Sequence, residues 1–477
     1  MRFALIADTF PPLRTSGAVQ LRDLSREFVR QGHELTIMLP SSGQAVPWLL
    51  EDVDGVQVLR LRAPKTKDIN YVRRTIGEFL MPFMMRHNLN KSPLKNERWD
   101  GIIWYAPSIF HGLLAKSLKK DSGCRGYLII RDIFPEWAVD MGLMGRGLSY
   151  RFFDAIARYQ YSVADVIGVQ TAGNLAYFDR WLGAGEPSGK VERNDDQMFG
   201  HASASQGDRK ATQKQVSRSD RNLIQVRESE SVGMLTQEHE SEPVGKLTQI
   251  RENGSVRNLT HTHESKPARK LEVLQNWLGQ AAQAKCTIRI SETVLAGRKI
   301  FVYAGNMGVA QGMGILLDLA EQLLARADMG FLFVGRGSDA IHLKASAQNR
   351  GLNNVLFFDE IHPDEIPDLY AQCHVGIVSL DPRHKSHNIP GKFLTYMQSG
   401  LPVLANVNAS NDLSGLIRDE RVGQVCESNQ VDELVDLAEV VLRQFEGDLE
   451  MAGRCKALFA REFAVEQAVR QIVAGLG

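Results

Sequence analysis

Short apolar runs separated by amphipathic stretches set the grammar of this chain. Phe3–Ala7 is one such run, and Ala18–Gln31 carries apolar residues at helical spacing until Gly32-His33 interrupts it. Further strand-like runs fall at Glu34–Leu39, Gly55–Leu61, Gly101–Tyr105, Tyr127–Ile130 and Val166–Val169. Strands alternating with helices predict a parallel sheet covered on both faces. The alternation restarts near residue 271, with strands expected at Lys299–Ala304, Phe331–Val334, Val355–Phe358, Val375–Val378 and Pro402–Ala405. Two complete α/β units predict two Rossmann-like domains facing each other across a cleft.

The stretch between them follows different rules. Residues 186–270 hold one aromatic, Phe199, and repeat every twelve residues, with Leu235, Leu247, Leu259 and Leu271 in one column. One leucine per repeat buries too little surface to offset a chain entropy of roughly 1–2 kcal/mol per residue. The expectation is a low-complexity, disordered insertion at a domain boundary. The predicted organisation is a first Rossmann-like domain over 1–185, the insertion over 186–270, and a second Rossmann-like domain over 271–458. A C-terminal helix over 459–477 is expected to pack back on the first domain.

Composition narrows the function. A chain of 477 residues exceeds one hydrophobic core. Lys+Arg and Asp+Glu both number 56, which removes any global electrostatic case for nucleic acid. Five cysteines are scattered without a Cys-x-x-Cys pair and read as reduced core thiols. The chain enters its first strand after Arg2, too soon for a signal peptide, and no apolar run approaches the roughly 18 residues of a membrane span. The expected location is cytoplasmic, peripheral to the inner face of the membrane.

In open parallel sheets, ligands bind beyond the carboxyl ends of the strands. The loop after the first strand, Asp8 to Gly17, opens a helix whose free amides favour an anion, which makes Gly17 a candidate on the acceptor side. An ordinary strand–helix turn is the equal alternative. The loop Arg131-Asp132-Ile-Phe-Pro-Glu136-Trp137 places two carboxylates at a strand's end. Asp132 or Glu136 is suited to accept a hydroxyl proton from an attacking sugar, against the plainer reading of surface ion pairs. In the second half, Gly305-Asn306-Met307-Gly308 lets backbone amides approach a diphosphate. The segment His387-Asn-Ile-Pro390-Gly391-Lys392-Phe-Leu-Thr395 enters a helix that stops at Gly400. Free amides there, with the Lys392 ammonium, suit a leaving diphosphate, against the plainer reading of Lys392 as a solvated helix residue.

With these residues in place, the chain resembles the retaining, two-Rossmann-domain glycosyltransferases of the GT-B architecture and family-4 type. The carriers are Gly32-His33-Glu34, Ala164-Asp165-Val166-Ile167, Leu274-Gln275-Asn276-Trp277, Tyr303-Ala-Gly305-Asn306 and Lys392…Gly400-Leu-Pro402-Val403. They span 1–185 and 271–470, and the Asp132–Glu136 loop is similar to enzymes of bacterial O-antigen and capsule assembly, N-acetyl-fucosamine transferases among them. The resemblance implies transfer with retention from a nucleotide-diphosphate sugar, an N-acetylated amino sugar, with no metal and no cofactor. It implies donor contacts at Gly305, Asn306, Gly308, Arg336, His387, Pro390, Gly391 and Thr395. The family often carries two glutamates eight positions apart where this chain has His387 and Thr395, which puts the ribose contact and donor identity in doubt. Arg336, in Gly335-Arg336-Gly337, reads equally as a solvated loop residue. That same loop, with Asp359 some twenty residues on, fits a dinucleotide fingerprint but sits on a second strand rather than a first. The alternatives are therefore a sugar-nucleotide epimerase on the same fold, an oxidoreductase, and a scaffold presenting the repeats.

Charge pattern adds a partner. Between Arg60 and Arg98 stand ten Lys or Arg against Asp68, Glu78 and Glu97. Within that stretch Val72, Ile76, Phe79, Leu80, Phe83 and Met84 recur at helical spacing, with Pro82 expected to kink or split the helix. A basic helix with a wide apolar face predicts an anionic membrane surface as partner and a polyprenyl-diphosphate-linked acceptor, against a plain core-facing helix.

Overall fold

The computed structural model describes residues 1–182 and 269–477, apart from Arg14, Asp68, Ala282, Gln283, 384–386 and Ser410. Except for its last two residues, the repeat segment expected at 186–270 lies outside the described residues. The first sheet is built from β1 (Arg2–Ile6), β2 (Glu34–Ser41), β3 (Trp48–Val53), β4 (Val56–Arg62), β5 (Gly101–Tyr105), β6 (Arg125–Ile129), β7 (Val166–Val169) and β8 (Lys270–Val273). Their order is β3-β4-β2-β1-β5-β6-β7-β8, parallel except for β3. The second sheet holds β9 (Lys299–Ala304), β10 (Met329–Val334), β11 (Val355–Phe358), β12 (Val375–Ser379), β13 (Val403–Asn406) and β14 (Gly423–Cys426). Its order is β11-β10-β9-β12-β13-β14, parallel throughout. Both central strands are continuously apolar, Phe3–Ile6 and Ile300–Ala304, because helices cover both faces. This is the two-Rossmann GT-B architecture.

Three strands differ from the sequence expectation. The strand β3 returns antiparallel to β4 through Asp54 and Gly55, both at positive φ. An Asp-Gly pair in that conformation makes the tight turn whose twist suits a two-residue hairpin. A short strand, β14, closes the far edge of the second sheet. The third, β8, moves a boundary: the expected start of the second domain at 271 falls inside the first sheet, where Lys270 pairs with Val166 on β7.

The chain crosses between sheets twice. The outward crossing follows β8, and the return leads into the helix Val465–Leu476, whose Val469, Ile472 and Leu476 share a core with Phe3, Phe28 and Tyr127. The two crossings are bonded together, Leu278 N–H to Phe463 O at 3.0 Å and Val465 N–H to Leu278 O at 3.1 Å.

The basic helix spans Tyr71–Leu89 without a break at Pro82, capped by Asn70 Oδ1 accepting from Arg73 N–H at 2.9 Å. Pro82 removes one backbone bond, but the face carrying Gly77, Met81, Met85 and Leu89 is buried and holds the helix together across it. The apolar residues noted in the sequence lie on the other face. Val72, Ile76, Phe79, Leu80 and Phe83 are exposed, as is Tyr71, and Met84 is half-buried, so the core-facing reading of that stripe is overturned.

Candidate functional site

The site begins with two helix N-termini that meet head to head. The helix Ser16–Arg30 starts with Thr15 Oγ1 accepting from Ala18 N–H at 3.3 Å. Gly17 lies in its first turn rather than before it, packed on Thr9 and Tyr105. Opposite stands Gly391–Ser399, preceded by Pro390 and ended by Gly400 at positive φ. A Cβ on Gly391 would lie 2.8 Å from Ser16 Oγ, so the two helix starts approach closely here. Both positive dipole ends point into one space.

Lys392 lies beside them. Its Nζ stands 4.6 Å from the centre of the Tyr303 ring, and a Cβ on Gly305 would lie 3.7 Å from its Cε. Burial lowers its pKa to about 8, and among the described residues no carboxylate pairs with it. An ammonium held at that cost beside two helix N-termini is an arrangement whose charge and free amides suit an anion.

The glycine loops after β9 and β10 do something other than expected. A Cβ on Gly335 would sit 2.0 Å from Gly305 O, and one on Gly337 2.3 Å from Met307 O. The two loops are bonded, Met307 N–H to Arg336 O at 2.8 Å and Asp339 N–H to Met307 O at 2.9 Å. These glycines let two loops pack, which removes the dinucleotide-fingerprint reading. Gly308 N–H and Asn306 Nδ2 both donate to Gln311 Oε1, at 3.0 and 3.1 Å, so this part of the loop is organised internally. Arg336 pairs with Glu360 at 3.0 Å on the sheet's carboxyl edge. Thr395 Oγ1 donates to Gly391 O at 3.3 Å, one turn back in its own helix.

His387 and its neighbour reach the first sheet. The His387 ring lies against Gly173, whose Cβ would meet it at 2.5 Å, and Nδ1 is 3.2 Å from Asp412 Oδ1. Asp412 also accepts from Gly173 N–H at 2.8 Å. Asn388 donates to Arg131 O at 2.6 Å and to Asp132 Oδ1 at 3.1 Å, while Asn174 donates to Asn388 Oδ1 at 2.8 Å. Asp132 is thus brought to the segment that carries His387, Asn388 and Lys392. Glu136 is not: its carboxylate takes Tyr150 OH at 2.7 Å and Arg146 at 3.4 Å, and burial together with that carboxylate raises the Tyr150 phenol to about 12.

A buried polar chain, missed in the sequence, fixes this arrangement. Tyr105 OH donates to Gln20 Oε1 at 3.2 Å, Gln20 Nε2 to Asn276 Oδ1 at 2.6 Å, and Asn276 Nδ2 to Ile389 O at 2.7 Å. Trp277 Nε1 donates to Gln20 O at 2.8 Å, and the buried Arg131 guanidinium stacks 5.1 Å above the Trp277 ring. Burial lowers the Arg131 pKa, and burial with the nearby Asp132 and Asp8 carboxylates raises that of Tyr105 to about 12. The signal available was Asn276-Trp277 itself, a polar–aromatic pair inside an apolar stretch. Among the described residues no group of three or more His, Cys, Asp or Glu side chains is arranged to hold a metal.

Comparison with known proteins agrees with the architecture. Residues 298–444 match the family model described as glycosyl transferases group 1. A curated relative, the "Probable glycosyltransferase WbjE" of Pseudomonas aeruginosa, is 27% identical over 157 residues, which is 33% of this chain and 38% of that protein. The aligned part is well under half the length of that relative. Among solved structures, sucrose-phosphate synthase from Thermosynechococcus elongatus superposes with a TM-score of 0.65 at 12% identity, covering 99% of this chain and 98% of that one. Anabaena HepE in complex with UDP-glucose gives 0.58 at 12% identity, covering 99% and 98%. The chain has the GT-B fold, and through residues 298–444 it is related to the glycosyl transferases group 1 family.

Proposed function

We propose that the chain transfers a sugar, an N-acetylated amino sugar, from a nucleotide diphosphate to a hydroxyl of a polyprenyl-diphosphate-linked saccharide, with retention at the anomeric carbon. The observation that carries this is the uncompensated Lys392 ammonium between Tyr303 and the facing helix starts at Ser16 and Gly391. As the bond from the anomeric carbon to the phosphate oxygen breaks, negative charge grows on the diphosphate. Lys392 and the amides near Gly391 are placed to meet it. The acceptor oxygen bonds to the same face of the carbon and gives its proton to the departing phosphate oxygen, with Asp132 orienting the hydroxyl. Asn388 couples the two halves, since it belongs to the Lys392 segment and holds Asp132. The relative's name supports sugar transfer, and the UDP-glucose bound by HepE supports the donor class.

The test is a panel of UDP-, dTDP- and GDP-sugars, incubated with the chain with and without membrane lipid extract, scored by mass and linkage of the product. Transfer to lipid, dependent on acceptor, is expected. Conversion of a donor without any acceptor would point to epimerisation, and no thermal shift with any nucleotide would refute the donor site.

A further inference from the structure

The exposed face of Tyr71–Leu89 does not stand alone. Phe79 and Phe83 are 6.0 Å apart by ring centres, and Phe79 lies 6.4 Å from Phe152 on the helix Leu148–Val163. Leu148, one turn earlier, is 83% exposed, as Tyr71 is 85% and Phe83 51%. The aromatic row then turns inward: Phe152 to Phe153 at 5.3 Å, Phe153 to Phe134 at 5.2 Å, Phe134 to Trp137 at 6.1 Å. Phe134 and Trp137 belong to the loop that carries Asp132. An unbroken run of rings therefore joins an exposed apolar face to the acceptor side of the site.

Among the described residues, the charges around the face that lack an opposite partner are cations. The loop 64–67 lies against the helix at Gly77, where a Cβ would be 2.9 Å from Lys65 O, so Lys65 and Lys67 flank the patch. Arg73 is on the helix itself and Arg151 sits beside Phe152. Among the described residues none of these four cations has an acidic partner. The nearby carboxylates Glu78 and Asp154 are already held by Arg74 at 2.8 Å and Arg158 at 2.9 Å. No helix among the described residues is long and apolar enough to cross a membrane.

We propose that this two-helix face seats on an anionic lipid bilayer, with Phe79, Phe83 and Phe152 entering the headgroup–acyl boundary and Lys65, Lys67, Arg73 and Arg151 meeting lipid phosphates. Apolar burial supplies the adhesion, and the single sign of free charge selects anionic lipid. The inward aromatic row then gives an apolar-tailed acceptor a path from the leaflet toward Asp132. This rests on the proposed transfer reaction for its purpose but not for its physics.

The experiment is flotation of the full chain with vesicles of phosphatidylcholine alone or with 30% phosphatidylglycerol, across a salt series. Binding only to the anionic vesicles, falling with salt, is expected. Arg73→Glu with Arg151→Glu should weaken it about tenfold or more. Phe79→Ser with Phe83→Ser should abolish it, while thermal unfolding and the stabilisation by UDP stay as in the parent. Equal binding to both vesicle types, or to neither, overturns the proposal. So does a dimer in sedimentation that the Phe variant dissociates, which would give the face to a second copy. Vesicle binding with no nucleotide binding would keep this face and sink the transfer reading instead.

Discussion

Replacing Lys392 by methionine should make the protein more stable and less active at once. The side chain keeps its length and its packing on Tyr303 but loses the charge. In the folded chain burial lowers the lysine pKa from 10.5 to about 8. That difference corresponds to about 3 kcal/mol at 1.36 kcal/mol per pH unit. Partial solvent access and the contact with the Tyr303 face, itself about 0.5–1 kcal/mol, reduce the expected gain to about 1–2 kcal/mol. The pH dependence follows from proton counting. Between about 8 and 10.5 the unfolded lysine is protonated while the folded one is not, so the unfolded chain binds more protons and parent stability rises with pH across that window. Lys392→Met should therefore exceed the parent most below pH 8 and match it near pH 10.5. Urea unfolding at pH 7 and 10 reads the first half. Calorimetry with UDP reads the second: losing a charge-assisted bond of about 1.5–3 kcal/mol weakens binding about 10- to 100-fold, and turnover should fall roughly 10²–10³. A destabilised variant, or one that binds UDP like the parent, would refute the idea of an unpaired ammonium waiting for a diphosphate.

Gly335→Ala places a Cβ 2.0 Å from Gly305 O at a φ of 146°, so a loss of about 2–4 kcal/mol in urea unfolding is expected, since both backbone strain and the loop pairing are affected. An unchanged midpoint would show that the loops give way easily. Asn388→Ala removes the bonds to Arg131 O, Asp132 and Asn174; kcat should fall about tenfold with the nucleotide Kd nearly unchanged, because the loss is in coupling Asp132 to the donor side. An equal loss in nucleotide affinity would place Asn388 in donor binding instead.

The α/β alternation was legible because parallel strands buried on both faces leave unbroken apolar runs, as at Phe3–Ile6 and Phe331–Val334. The edges were not. The strand β3 has only one covered face and a mixed composition, although Asp54-Gly55 was a readable turn. The strand β8 is four residues long, and its place beside β7 depends on a pairing across about a hundred residues of sequence. At the site, Lys392 and Asp132 were visible as charges in strand-end loops. The roles of Asn388, Gln20 and Asn276 were not, because an amide's partners are set by tertiary contacts that leave no local pattern. Glu136 shows the converse: its loop position matched a base, and its neighbours Tyr150 and Arg146 occupy it.

The return of Val465–Leu476 to the first sheet also bears on the order of synthesis. The core begun by Phe3 is completed by Ile472 and Leu476, nearly five hundred residues later. Leu476 fills the space above Gly101, where a Cβ would meet its Cδ1 at 2.8 Å. The second sheet is contiguous in sequence and has all its strands once Cys426 has been made, whereas the first, started earlier, waits with an uncovered apolar face until the terminal helix emerges. The lobe that is translated first is therefore the one that is finished last.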